Sequence, residues 1–252
     1  MIKQKRWVQI TELLKAKEHM KVEELITLLG VSPATLRRDL QEMEDMNIIK
    51  RYHGGARLNH QQIQEPAMIL KSEMHSSMKK QIGYTAAKLI KDNQMIYLDA
   101  GSTTYEMLDF ITAKNITIVT PSIAHLPILC AKKISTIVLG GNLRSSTQAI
   151  TGKQTLKQLE NYYFDACFIG TNGIHEQVGF TTSNESEAET KTLAISHSKN
   201  AYIVTDSSKF NLLYPVQFAQ LKDATIICDT IDNFDKSLIQ YYLINGEHNY
   251  SY

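Results

Sequence analysis

The chain has 252 residues, with 27 Lys/Arg against 26 Asp/Glu and a formal net charge of +1 at pH 7. That length suits two domains, one with a sizeable core, and the balance excludes a polycation that coats nucleic acid by charge alone. The charge is uneven, however: residues 1–58 hold 11 Lys/Arg against 8 Asp/Glu and the rest 16 against 18, a mildly basic head on a mildly acidic body.

A first helix is expected from Lys3 to about Lys17, with Trp7, Ile10, Leu13 and Leu14 inward. Val22 to Leu29 reads as a second, short helix with Val22, Leu25, Ile26 and Leu29 on one face. Gly30 ends it, as a residue that tolerates the left-handed conformation. Ser32 is an N-cap and Pro33 occupies the first helical position, where a missing N–H costs nothing. The helix that follows turns Leu36, Leu40 and Met43 inward and leaves Ser32, Ala34, Thr35, Arg37 and Arg38 on or beside its open face. In a helix-turn-helix those first residues of the second helix meet base edges in the major groove. Charge pairs are often just a solvated helix face, and each signal is weak alone; their order and spacing together point to double-stranded DNA. Ile48 to Arg57 then reads as a basic hairpin wing turning at Gly54-Gly55, with Lys50, Arg51, His53 and Arg57 as phosphate or minor-groove contacts. This winged helix-turn-helix closes near residue 58.

Residues 59–75 read as a polar linker stopped by Pro66, and residues 76–252 as one α/β domain. A helix is expected over Ser76–Lys91, with Ile82, Ala86, Leu89 and Ile90 apolar. Strands are expected at Met95–Leu98, Ile116–Val119, Thr136–Leu139, Ala166–Ile169, Tyr202–Val204 and Thr225–Cys228. Helices are expected at Thr104–Thr112, Ile123–Ala131, Lys153–Asn161, Glu185–Lys199 and Asp235–Tyr242. Short apolar strands alternating with helices imply a parallel sheet covered on both faces.

Ligands of open α/β sheets bind at the carboxyl ends of the strands. There the chain carries Asp99-Ala100-Gly101-Ser102-Thr103-Thr104, opening straight into a helix whose N–H groups and dipole favour an anion. An ordinary capped helix start has the same look. Gly140-Gly141 with Arg144, Gly170 to Gly173 with Asn172, and Asp206 to Lys209 follow later strands. Glu187 and Lys191 lie four apart on a later helix, a spacing also expected of a plain surface pair. Arg144 and Lys209 suit a phosphate; Asp99, Asn172 and Glu187 suit hydroxyls; Gly141 and Gly173 allow close approach. The set has the composition of a sugar-phosphate pocket.

The motifs SPATLRRDLQEME, IIKRYHGGA, DAGSTT, VTPS, VLGGNLR, DACFIGTNGI, GFTTSNESEAETK and DSSKF resemble the DeoR family of bacterial transcription regulators, from about Lys3 to Asp229. The resemblance implies a repressor of a sugar uptake or catabolism operon, released from operator DNA by a phosphorylated sugar bound to the C-terminal domain. It also implies a fold similar to ribose-5-phosphate and glucosamine-6-phosphate isomerases, whose phosphate-binding loop and late lysine match Gly101, Ser102, Thr103 and Lys209. Where the amino-sugar isomerases carry Asp-Gly-His, this chain has Asn172-Gly173-Ile174, so phosphate grip is expected to persist without acid–base chemistry.

The competing reading is a sugar-phosphate isomerase-type enzyme with an added DNA-binding domain; Asp99 and Glu187 keep it open. A homo-oligomer, dimer or tetramer, is expected because one helix-turn-helix reads only a half-site. No cofactor and no metal are expected: the eight His form no HxH or HxxxH pair, and Cys130, Cys167 and Cys228 are scattered. The N-terminus lacks a signal peptide's apolar core and no run reaches the ~18 apolar residues of a membrane span, so a cytoplasmic protein with no membrane partner is expected.

Overall fold

A computed structural model describes residues 3–17, 19–45, 48–52, 54–58 and 76–249. The chain divides into two units, Met1–His75 and Ser76–Tyr252. The expected linker at 59–75, and His53 in the wing, lie outside the described residues.

In the first unit α1 (Lys3–Lys17), α2 (Val22–Leu29) and α3 (Pro33–Asp45) follow the apolar pattern. Trp7, Ile10, Leu14, Leu25, Leu36, Leu40, Met43 and Ile49 are buried in one cluster. Gly30 caps α2 at φ 62, its N–H bonded to the Ile26 carbonyl. Ser32 caps α3: its Oγ accepts the Thr35 N–H at 3.2 Å. The wing, β2 (Ile49–Tyr52) and β3 (Gly55–Leu58), is antiparallel, with Tyr52 opposite Gly55. Gly55 therefore already belongs to β3, and Gly54 stands just before it at φ 83. A Cβ on Gly55 would stand 2.7 Å from the Met20 carbonyl oxygen. That carbonyl comes from a strand the sequence did not show, β1 (His19–Lys21), which adds to β3 and completes a three-stranded sheet.

The second unit is built on an eight-stranded sheet. Its strands are β4 (Met95–Leu98), β5 (Thr117–Thr120), β6 (Ser135–Val138), β9 (Ala166–Ile169), β12 (Ala201–Val204), β14 (Thr225–Cys228), β15 (Gln240–Leu243) and β16 (His248–Asn249). The spatial order is β16-β15-β14-β12-β9-β4-β5-β6, all parallel except β16. Alternate residues sort to opposite faces. Tyr97, Val119, Cys167, Ile169 and Ile226 join one core, and Ile96, Leu98, Ile118, Phe168 and Ile227 the other. Helices α4 (Ser76–Ala87), α5 (Ser102–Met107), α6 (Leu126–Ala131), α7 (Lys153–Leu159) and α8 (Glu185–Ser196) accompany the strands, with hairpin β7 (Asn142–Arg144)–β8 (Ala149–Thr151) and a small sheet β10 (Gly173–His175), β11 (Gly179–Thr182), β13 (Val216–Ala219).

Several element bounds differ from expectation. Helix α4 stops at Ala87, where Leu89 and Ile90 bond three residues back instead of four. Strands β5 and β6 are displaced by one residue, in opposite directions, and α5 is one turn shorter than expected before the 3-10 turn Leu108–Phe110. Helix α6 starts only at Leu126, and α7 and α8 end at Leu159 and Ser196. The helix expected over Asp235–Tyr242 is instead a 3-10 turn, Lys236–Leu238, and then β15. Ile239, Tyr241 and Leu243 are all buried, a period of two that marks a strand, and the parallel pairing with β14 satisfies their backbone.

Candidate functional site

On α3 the residues that face the core and those that do not separate cleanly. Leu36, Leu40 and Met43 are buried, while Ser32, Ala34, Arg37 and Arg38 are exposed and Thr35 is half-buried. Neither Arg37 nor Arg38 has a hydrogen-bond or ion-pair partner among the described residues, so both guanidinium groups remain available to a ligand. On the wing Arg57 is exposed in the same way and Lys50 is half-buried.

Two polar links on this surface were not legible in the sequence. Asp39, between Arg38 and Leu40 on α3, is 2% exposed. Its carboxylate accepts Arg6 Nε at 2.6 Å and the second guanidinium nitrogen at 3.0 Å, a two-point grip from α1. The carboxylate raises the guanidinium pKa, chiefly through that hydrogen bond. The grip fixes the rotation of α3 about its axis, and so the direction in which Arg37 and Arg38 point. Arg51, expected to meet phosphate, donates to the Gln41 side chain, while its N–H donates to Glu44 at 2.8 Å. The wing is thereby tied to α3.

In the second unit the chain runs outward from β4 through β5 to β6, then returns to place β9 on the other side of β4. The carboxyl ends of β4 and β9 are thus the switch point of the sheet, where ligands of such folds bind. Asp99 follows β4 and Gly170 follows β9, and the Gly170 N–H donates to Asp99 at 3.0 Å. Lys191 of α8, buried, donates to the same carboxylate and to the Gly170 carbonyl. One turn earlier on α8, Glu187 accepts Thr147 Oγ1 at 2.7 Å and lies 3.4 Å from Arg144 Nε. Asp99 with Lys191, and Glu187 with Arg144, are therefore two paired sets held by one helix. The pair expected as a possible surface feature is buried.

The Gly101–Thr104 loop leads into α5 as expected. Thr104 is committed inward, its hydroxyl donating to the carbonyls of Asp99 and Gly101. Ser102 accepts Lys79 Nζ at 3.0 Å. Lys79 is 4% exposed, a cation the sequence reading missed because a helical lysine ordinarily belongs to the solvated face. Its position follows from Gly83: a Cβ there would stand 2.8 Å from the Glu106 backbone, so α4 lies directly on α5. Beneath the loop His125 is fully buried, its Nδ1 3.4 Å from Thr120 Oγ1. Burial pushes its pKa down to about 3, against a smaller opposing effect of the Gly101 backbone, so the imidazole is neutral.

Other expected residues are placed less directly. Lys209 stands in the 3-10 turn Ser207–Lys209 after β12, on the same sheet edge but two strands, roughly 10 Å, from the end of β4. Asn172 is buried, with Nδ2 3.5 Å from Ser183 Oγ. Gly141 and Gly173 serve packing: a Cβ would meet Thr155 Oγ1 at 2.3 Å in the first and the Leu212 carbonyl at 2.4 Å in the second. Ile174 is wholly in the core. Among the described residues no group of three His, Cys, Asp or Glu could hold a metal ion, and no helix is long and apolar enough to cross a membrane.

Residues 6–62 match the DeoR-like helix-turn-helix domain and residues 74–230 the DeoR C terminal sensor domain. An uncharacterized HTH-type transcriptional regulator, FruR, of Bacillus subtilis (strain 168) is 38% identical over 245 residues, 95% of this chain and 98% of that one. A lactose phosphotransferase system repressor of Staphylococcus epidermidis is 32% identical over 248 residues, 96% of this chain and 98% of that one. A solved ribose 5-phosphate isomerase from Plasmodium falciparum aligns over 53% of this chain and 52% of that one, at 21% identity and a TM-score of 0.40, too slight a likeness to argue from.

Proposed function

The chain belongs to the DeoR family of helix-turn-helix regulators, and from that premise we propose that it represses an operon for sugar uptake or breakdown and leaves its operator when a phosphorylated sugar binds the second unit. The observation that carries the ligand half is the buried Lys79 ammonium on Ser102, at the switch point of the sheet. A cation, a hydroxyl loop and the unpartnered N–H groups of a helix start together suit a phosphate. Asp99, Glu187, Asn172, Lys191 and Arg144 supply the polar groups for the sugar, and Lys209 a second cation on the same edge. The sugar assignment is supported by the relatives, among them the lactose phosphotransferase system repressor. The protein acts as a homo-oligomer, dimer or tetramer, because paired half-sites need paired recognition helices.

We read the chain as a regulator and not as an isomerase. A proton-transfer enzyme needs a group with a tunable pKa at the substrate. Asn172 is an amide, Ile174 is core, and both carboxylates of the site, Asp99 and Glu187, are held by cations.

The test is fluorescence anisotropy of operator DNA titrated with a panel of sugar monophosphates. One class should weaken DNA binding by roughly 5- to 150-fold, the usual span of allosteric coupling. Lys79→Met and Lys209→Ala should bind operator as the parent does and lose that response. If no member of the panel changes operator affinity or thermal stability, the ligand assignment fails; if both variants respond at the parent's concentration, the phosphate site lies elsewhere.

A further inference from the structure

The eight-stranded sheet ends differently on its two sides. On one side the edge is β16, two residues long and antiparallel, beside the Lys236–Glu247 ion pair at 3.1 Å. Short strands and charges keep an edge from pairing with another chain. On the other side the outermost strand among the described residues is β6, parallel to β5 without a shift of register. Ser135-Thr136-Ile137-Val138-Leu139 contains no charge, proline or glycine. Val138 is 41% exposed, and Leu143 on the following hairpin 56%.

The direction of the β6 amides is fixed by one bond. The Leu139 N–H donates to the Thr120 carbonyl of β5, so by alternation Ser135 and Ile137 also face β5. Thr136 and Val138 then turn their N–H and C=O groups outward. That pattern is complementary to itself. We propose that β6 is the seam of a homodimer, two copies joining antiparallel across a two-fold axis through Ile137. Thr136 of one copy then lies opposite Val138 of the other, and each such pair exchanges both its N–H···O bonds. Ile137 faces its own counterpart as the closely spaced, non-bonded pair.

Charge selects the same arrangement. Lys132 and Lys133 are exposed just before β6. Side by side in a parallel pairing they would meet their own copies. An antiparallel pairing centred on Ile137 instead carries the Lys132-Lys133 pairs of the two copies to opposite ends of the seam, and like charges stay apart. The occupant is therefore a second copy, joined through one self-complementary patch, as closed two-fold symmetry requires. The operator-binding reading contributes only the need for paired recognition helices; the seam rests on the sheet edge.

The experiment is register-specific crosslinking of the full chain, with the exposed Cys130 replaced by serine. Non-bonded antiparallel pairs hold Cα atoms ~4.5 Å apart, within disulfide reach. Ile137→Cys should form a covalent dimer on mild oxidation, and Val138→Cys, facing Thr136, should not. Val138→Lys should raise the dimer dissociation constant at least ~10-fold by sedimentation, with an unchanged far-UV spectrum. A monomeric parent at micromolar concentration, a Val138→Lys protein that dimerises like the parent, or crosslinking through Val138→Cys as readily as through Ile137→Cys would each overturn the seam. A seam that fails while operator binding persists leaves the regulator reading standing.

Discussion

Removing either partner of the Arg6–Asp39 pair should destabilise the DNA-reading unit, and by unequal amounts. The side chains are 12% and 3% exposed, respectively. Arg6→Ala leaves the carboxylate buried between Arg38 and Leu40 with its charge uncompensated, a loss of about 3 kcal/mol, the low end for a broken buried pair. Asp39→Ala instead removes the more deeply buried charge and leaves the guanidinium on a long stem that is the more exposed of the two, and should cost less, about 1–2 kcal/mol. The double variant should recover part of the larger loss, because the stranded carboxylate is gone. For a unit of this size 1 kcal/mol moves the melting midpoint by roughly 4–8 °C. The assay is built into the chain: Trp7 is its one tryptophan and is buried in the first unit's core. Indole fluorescence therefore follows this unit alone during urea or thermal unfolding. Equal losses for the two single variants, or losses below about 0.5 kcal/mol for both, would refute the reasoning.

Arg37→Ala and Arg38→Ala should each weaken operator binding by about 1–3 kcal/mol if they read bases, with relaxed preference at the base concerned; parent-like affinity in both, measured by anisotropy, removes the recognition-helix assignment. His125, with a pKa near 3 folded against 6.5 unfolded, takes up a proton on unfolding. Its contribution is whole above the unfolded value and drains as pH falls toward the folded one, by about 1.4 kcal/mol between about pH 7.5 and about pH 5.5. His125→Asn should flatten that slope in far-UV melts, and an unchanged slope would count against a neutral buried imidazole. Gly83→Ala should cost about 1–3 kcal/mol, since the new methyl meets Glu106 and Met107 backbone that cannot swing aside; a thermal midpoint equal to the parent's would show that α4 and α5 can separate freely.

The parts of this chain that were legible in its sequence are those decided locally. Gly30, Ser32 and Pro33 announce a helix end and a helix start by backbone chemistry alone, and α2 and α3 stand where that chemistry puts them. Asp99, Gly101 and Ser102 were legible as a strand end opening into a helix. What escaped was decided by distant partners. Strand β1 is three residues long and exists because β3 offers it an edge. Arg6 and Asp39 are 33 positions apart, and nothing in either neighbourhood distinguishes an ion pair from two solvated charges. Lys79 is buried because Gly83 lets α4 lie on α5, a contact nothing near Lys79 in the sequence announces. At 235–242 a helix is expected, whereas the burial of Ile239, Tyr241 and Leu243 alternates as in a strand.

The crossing from β6 back to β9 also sets the order in which the protein matures at the ribosome. Asp99 meets Gly170 from 71 positions away and Lys191 from 92. The Asp99–Gly170–Lys191 cluster cannot exist until that later chain has been made, at translation rates of about 5–20 residues per second a delay of roughly 5–20 s. The strands of the DNA-reading unit, by contrast, are complete once Leu58 has been added. A nascent copy thus completes its helix-turn-helix unit well before the cluster proposed for the effector can form.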